Sequence, residues 1–195
     1  MDIVDLSSGS WINPPPKWSI ERNCLKVESA EKTDFWRHSH YRFVHDNGHA
    51  LMFRAPIEFS ATLTFTGDYQ QNYDHAGFLL RADSETWVKM GIEFVAGSAS
   101  FAVVVTLGKS DWSIYRIPLI SGPQTIRVSR TGDSVIVHVL QEGQWQLIRV
   151  AAFPELVVAD LGLMVCSPER QAFCVTFADF RLGSAIDNPL YGQSG

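Results

Sequence analysis

The chain has 195 residues, 46% of them hydrophobic, 19% charged and 12% aromatic, with a formal net charge of −5. That length suits one β-sandwich-sized domain over 1–195, with a core over about 11–182 and a short C-terminal tail, and the composition excludes a disordered chain. The acidic balance without a clustered basic surface excludes nucleic acid and anionic membrane as partners, and no segment is long and apolar enough to span a bilayer.

The N-terminal stretch lacks a basic region followed by an apolar run, so the expected address is cytoplasmic. After a Pro-rich bend at 14–16, short strands are expected at 24–28, 41–44, 50–53, 59–65, 76–82, 87–95, 100–107, 112–118, 124–130, 134–141, 145–151, 161–166 and 173–181. Turn signals recur between them at hairpin spacing, among them DNG at 46–48, AGS at 96–98, TGD at 131–133 and EGQ at 142–144. Long helical periodicity is absent. About a dozen antiparallel strands imply an all-β fold, a jelly-roll sandwich of two antiparallel sheets. Bare edge strands leave room for a homodimer. Residues 186–195 read as a tail.

Three cysteines, Cys24, Cys166 and Cys174, make an odd count without a CxxC. They read as reduced and mostly buried; a bridge between Cys166 and Cys174 across their hairpin is the less favoured reading. Arg127 and Arg130 read as members of structural ion pairs.

Alternation assigns the middle strands to faces. In WVKMGIEFV, Val88, Met90, Ile92 and Phe94 form the apolar set, leaving Trp87, Lys89, Gly91 and Glu93 opposite. Folding the preceding strand back through DSET sets Arg81 by Trp87, Leu79 by Lys89, Gly77 by Gly91 and His75 by Glu93. Folding the next one through AGSA sets Ala102, Val104 and Thr106 beside Glu93, Gly91 and Lys89. The expected outer face is a groove floored by Gly77, Gly91 and Ala102, since glycines inside strands often mark close approach by a ligand or another chain. The competing reading is a solvated Lys89–Glu93–Arg81 ladder of little energetic weight.

Several motifs in order, WINPPPKW at 11–18, TDFWRHSHY at 33–41, DNGH at 46–49, YDHAGFLLRAD at 73–83, WVKMGIEFV at 87–95, VVVT and SDWS over 103–113, and CSPER followed by VTFADF, resemble domain-of-unknown-function family 1349, the regulation-of-enolase type. The resemblance spans residues 11 to about 181 and departs at Arg42, where the family usually has Gly, and at His75, where it commonly has Gln. It implies a concanavalin A-like sandwich, in a superfamily whose members bind or cleave polysaccharides on the concave sheet, and no established activity.

Four of the six histidines lie in FWRHSHYRFVHDNGH at 35–49. His38 and His40, two apart, would share a strand face and could ligate a metal with His49 or Asp46, but no HExxH or cysteine pair accompanies them. The favoured reading gives His40, Tyr41, Asp46 and His49 hydrogen-bonding roles at a groove rim, with no metal and no cofactor. Glycoside hydrolysis requires two carboxyl groups across the scissile bond. The E-x-D-x-E strand of the superfamily's glucanases is missing, and Glu93 beside Lys89 is expected to stay ionised, which suits proton donation poorly.

Sugar binding asks only for rings and polar partners. Trp36, Tyr41, Tyr73, Trp87 and Trp112 supply rings; His40, Asp46, His49, Asp74, Arg81, Lys89, Glu93 and Asp111 supply donors and acceptors. The expectation is a non-enzymatic module for a carbohydrate or other polar small molecule. The alternatives are a protein partner, as regulator of a metabolic enzyme, and a glycosidase with non-standard carboxylates.

Overall fold

A computed structural model describes residues 1–116 and 122–191. In chain order the strands are β1 (Asp2–Ile3), β2 (Ser10–Ile12), β3 (Lys17–Glu21), β4 (Cys24–Glu28), β5 (Phe35–Arg37), β6 (Val44–Asp46), β7 (His49–Arg54), β8 (Phe59–Gly67), β9 (His75–Arg81), β10 (Thr86–Val95), β11 (Ser98–Leu107), β12 (Lys109–Arg116), β13 (Gln124–Thr131), β14 (Ser134–Gln141), β15 (Gln144–Ala152), β16 (Asp160–Cys166) and β17 (Cys174–Gly183). One sheet runs β15-β14-β13-β8-β17-β4-β3, with β1 added on β17; the other runs β12-β11-β10-β9-β16-β7-β2. β5 and β6 pair only with each other. Every pairing is antiparallel, and the fold is the expected two-sheet jelly-roll sandwich.

Alternating apolar residues of the two sheets meet in the main core: Phe59, Leu63, Val128 and Phe177 on one side, Phe78, Val88, Met90, Ile92, Phe101 and Leu163 on the other, all essentially inaccessible to water. Burial of this many large side chains supplies the dominant favourable term for the fold. Phe94, expected in that set, is only half-buried, because β10 is running out of the sandwich there.

The β9–β10 register is the expected one, from Arg81 opposite Trp87 to His75 opposite Glu93. The β10–β11 register is two residues off the expected one: Ala102 faces Gly91, Val104 faces Lys89 and Ser100 faces Glu93. A two-residue turn, Ala96-Gly97 with both φ positive (50° and 79°), closes the hairpin tighter than the four-residue AGSA loop. A slip of two keeps every side chain on its face, so the face assignment survives.

The short N-terminal strands β1, β2 and β3 and the pair β5–β6 were not foreseen, and no strand covers 41–44: Tyr41 lies in a turn and only Val44 begins β6. The expected strand at 112–118 is β12, displaced to Lys109–Arg116; 117–118 lie outside the described residues, as does the end of the expected tail, 192–195. The described part of that tail docks on the eight-stranded sheet, where the Ile186 N–H donates to Ser60 Oγ at 3.1 Å.

All three cysteines are free; Cys166 is buried, Cys24 half-buried and Cys174 exposed. Among the described residues Arg130 has no ion-pair partner: it donates to the carbonyls of Pro154, Glu155 and Val157 and lies 4.9 Å from the Phe153 ring centre. The Arg127 guanidinium stacks on Trp145 at 4.5 Å.

Candidate functional site

The outer face of the seven-stranded sheet carries a second apolar cluster of Ala50, Met52, Leu79, Trp87, Val104, Met164 and Cys166. β5 lies over it and contributes Phe35 and Trp36. Three ties hold this roof down. The Arg37 N–H donates to Ser110 Oγ (2.9 Å) and its guanidinium reaches Glu85 (2.7 Å). Arg81 grips Asp46 of β6 with two hydrogen bonds, 2.6 and 2.9 Å. Asn47 accepts from the Asp34 N–H (3.0 Å) and donates to the Lys32 carbonyl (2.9 Å).

The roof's turn, 38–43, holds three non-glycine residues in the left-handed region: His38 (φ 60°), His40 (61°) and Arg42 (63°). Such backbone is costly and persists only when over-determined. Here the His38 N–H donates to the Phe43 carbonyl, the Arg42 N–H to the His38 carbonyl, and Trp36 Nε1 to the Ser39 carbonyl. His38 and His40 therefore do not share a strand face; both are exposed, and no group of three His, Cys, Asp or Glu suited to a metal occurs among the described residues. The DNG segment is no hairpin turn but the two-residue passage from roof to sheet. Gly48 is needed there because a Cβ would run into the Phe35 ring.

Between roof and sheet opens a cavity of about 500 Å³. Rings of Trp36, Tyr41, Phe43, Tyr73 and Trp112 wall it, with Asp34, Lys89, Glu93 and Val104 on its floor and Lys32, His45, Pro168 and Glu169 completing the lining. Lys89 and Glu93 are 2% and 4% exposed, which rules out the solvated ladder. Lys89 Nζ donates to Asp34 Oδ1 at 2.6 Å. Burial opposes the Lys89 charge, but Asp34 and Glu93 outweigh it and hold the ammonium above its ordinary range. Glu93 Oε2 accepts from Trp112 Nε1 at 2.9 Å, and its other oxygen lies 3.8 Å from His75 Nδ1. Burial raises the Glu93 carboxyl to about 7, with Asp34 adding to the rise and Lys89 and Trp112 opposing it. The expectation of a firmly ionised Glu93 is thus overturned: desolvation beats the lysine, whose proton is already committed to Asp34. Tyr73 is raised to about 12, first by its hydrogen bond with Tyr41 and then by burial.

Of the residues singled out from sequence, Trp36, Tyr41, Tyr73, Lys89, Glu93 and Trp112 meet at this cavity, and the others lie outside its lining. His40 is an exposed turn residue packed edge-on to Tyr41. Arg81 and Asp46 pair with each other. His49 Nε2 accepts from the Ala30 N–H and Nδ1 donates to the Asn13 carbonyl, a neutral ring that burial keeps below its ordinary pKa. Asp74, fully buried, accepts from the Gln70 and Gln71 N–H groups, Ser167 and Arg170. Trp87 is enclosed in the second cluster and Asp111 pairs with Arg149 at the surface. Gly77, Gly91 and Ala102 do not line the cavity. A Cβ on Gly91 would fall on the Ala76 carbonyl, and one on Gly77, whose φ is +154°, on the Met90 carbonyl. These glycines mark the closeness of β9 and β10, not a ligand.

Sequence reading passed over Asp34, Lys32, Phe43, His45 and Glu169. Asp34 sits in the quoted TDFWRHSHY motif beside the two roof aromatics, but nothing local shows that the segment folds back over Lys89.

The family described as "Protein of unknown function (DUF1349)" matches residues 11–185. The chain belongs to this family. A relative named "Regulation of enolase protein 1", from Saccharomyces cerevisiae, is 35% identical over 192 residues, which is 98% of this chain and 97% of the relative. The crystal structure of a functionally unknown protein from Saccharomyces cerevisiae superposes on 94% of the chain and 100% of its own, with TM-score 0.89 and 35% identity. The sandwich of the family is shared more widely: carbohydrate-binding module CBM66 from Bacillus subtilis aligns at TM-score 0.57 and 13% identity, covering 89% of this chain and 95% of its own.

Proposed function

We propose that the protein is a non-enzymatic binding module that takes a carbohydrate or other small polar molecule into the cavity between the β5–β6 roof and the seven-stranded sheet. The observation that carries this is the combination of a charged floor, with Lys89 and Glu93 buried and Asp34 half-buried, and five ring walls in one open cavity. Rings supply a surface for the C–H face of a pyranose, and converging polar groups fix its hydroxyls. The volume suits a ligand of sugar size. A carbohydrate-binding module with the same sandwich agrees with this reading. A protein partner is the second reading, favoured by the name of the yeast relative and by the exposed Tyr41, Phe43 and Val44 at the tip of the roof.

Thermal-shift and calorimetric titration against a panel of mono- and disaccharides tests the first reading. Binding is expected in the wild type and is expected to fall at least tenfold in Trp112→Ala, which removes both a wall and the Glu93 donor. A panel-wide absence of binding overturns it. Co-purification of one protein with both wild type and Trp112→Ala establishes the second reading instead.

A further inference from the structure

Among the described residues Glu93 is a floor carboxyl that receives no hydrogen bond from a cation, although Lys89 acts on it through space. Lys89 directs its hydrogen bond to Asp34, so those two form a neutral pair. Glu93, 4% exposed, receives a single hydrogen bond, from the uncharged Trp112 indole. Its neighbours across the sheet do not help. On β9, His75 is fully buried with neither ring nitrogen hydrogen-bonded, and burial together with Lys89 keeps it uncharged. On β11, Ser100 is fully buried and its hydroxyl is also without a partner. The other titratable groups lining the cavity are Lys32, Tyr41, His45, Tyr73 and Glu169, with Cys166 in the apolar cluster beside it; Tyr73 and Cys166 are held neutral by upward shifts, and Glu169 adds negative charge.

With Glu93 ionised, the formal charges of the lining carboxylates and lysines are Asp34, Glu93 and Glu169 against Lys32 and Lys89, three negative and two positive, a net of −1. A carboxylate buried without a cation is costly, and the faces of aromatic rings carry negative potential that attracts cations. Whenever Glu93 is ionised the cavity is thus short of one positive charge, and its five rings favour supplying that charge on an organic cation.

We infer that the ligand of this cavity is an amino sugar, a pyranose carrying a free ammonium group, with the ammonium seated against Glu93 and the sugar ring between the aromatic walls. This rests on the sugar-binding reading above and narrows it. A neutral hydroxyl could donate to Glu93 but would leave its charge in place; an ammonium supplies both the donor and the missing charge. Seating the cation requires Glu93 ionised, so binding releases a proton wherever Glu93 is protonated in the free protein.

The probes are glucosamine, galactosamine and mannosamine, each with its N-acetyl derivative and its parent hexose, titrated calorimetrically at pH 5.5 and 7.0. At least one free amine is expected to bind about tenfold or more tightly than both its neutral counterparts at pH 7.0, and to lose roughly tenfold in affinity at pH 5.5 as Glu93 takes up its proton. In Glu93→Gln the preference for the amine is expected to vanish. Should that variant misfold, the wild-type pH dependence and the enthalpy difference between buffers of unlike ionisation heat, which counts protons released, carry the same test. Neutral hexoses binding as well as their amines overturn the amino-sugar assignment and leave the sugar-binding reading standing. No sugar binding at all removes both.

Discussion

Glu93 links the stability of the protein to pH. Its carboxyl is half-protonated in the folded protein at about pH 7, whereas the unfolded chain releases the proton near the ordinary glutamate value of 4.5. Between those values the folded state binds more protons than the unfolded one, so this residue's contribution falls as pH rises. The full shift corresponds to about 3 kcal/mol, and Glu93→Gln is expected to remove most of that slope. Urea unfolding of both proteins at pH 5 and pH 8 measures it; parallel pH dependences would contradict the assignment. The comparison has to be a difference, because His49 and His75, held neutral by burial, make the fold lose stability as pH falls below their ordinary range. The Asp34–Lys89 pair makes a second residue-scale prediction. Asp34→Asn leaves a buried ammonium without its hydrogen-bonded partner and is expected to cost about 3 kcal/mol, while Asp34→Asn with Lys89→Met costs less, since neither member of the pair is left without the other. A double-mutant cycle in chemical denaturation checks the sign of that coupling.

The elements that shape the site are held by backbone closeness and by a few side-chain ties. At the β9–β10 crossing Gly77 faces Gly91, and a methyl group on either strikes the carbonyl of the neighbouring strand. Backbone cannot yield as a flexible side chain would, so Gly91→Ala is expected to destabilise by more than about 2 kcal/mol. Gly97→Ala meets nothing within 4 Å and faces only its positive φ of +79°, so it is expected to cost about 1 kcal/mol. Melting temperatures of the two variants rank them. The roof depends instead on Asn47, on the Arg81–Asp46 pair and on the Arg37 bonds to Ser110 and Glu85. Asn47→Ala is expected to raise amide exchange in 34–46 well above that of β9 and β10, with a small change in global stability. Equal protection of roof and sheet in that variant would show that Asn47 is not needed to hold the roof.

For the whole molecule, the site is an assembly of parts distant in sequence: the segment around Asp34, β10, β12, Tyr73 before β9, and the loop carrying Pro168 and Glu169. The sequence by itself determined the two-sheet sandwich, most strand positions and the face of each residue in β9, β10 and β11, because period-two alternation and turn chemistry are local properties of the chain. It also determined that Lys89 and Glu93 share a face with Trp87 and His75. Whether that face was wet or covered was decided only in the tertiary structure, where residues 34–46 fold over it. In the FWRHSHYRFVHD stretch only 41–44 reads locally as a strand, and nothing in it reveals that Arg81 and Ser110 will hold it as a roof. The rise of the Glu93 carboxyl to about 7 has the same origin. Charge state follows desolvation and the direction of a neighbour's hydrogen bond, and both are set by contacts between residues far apart in the chain.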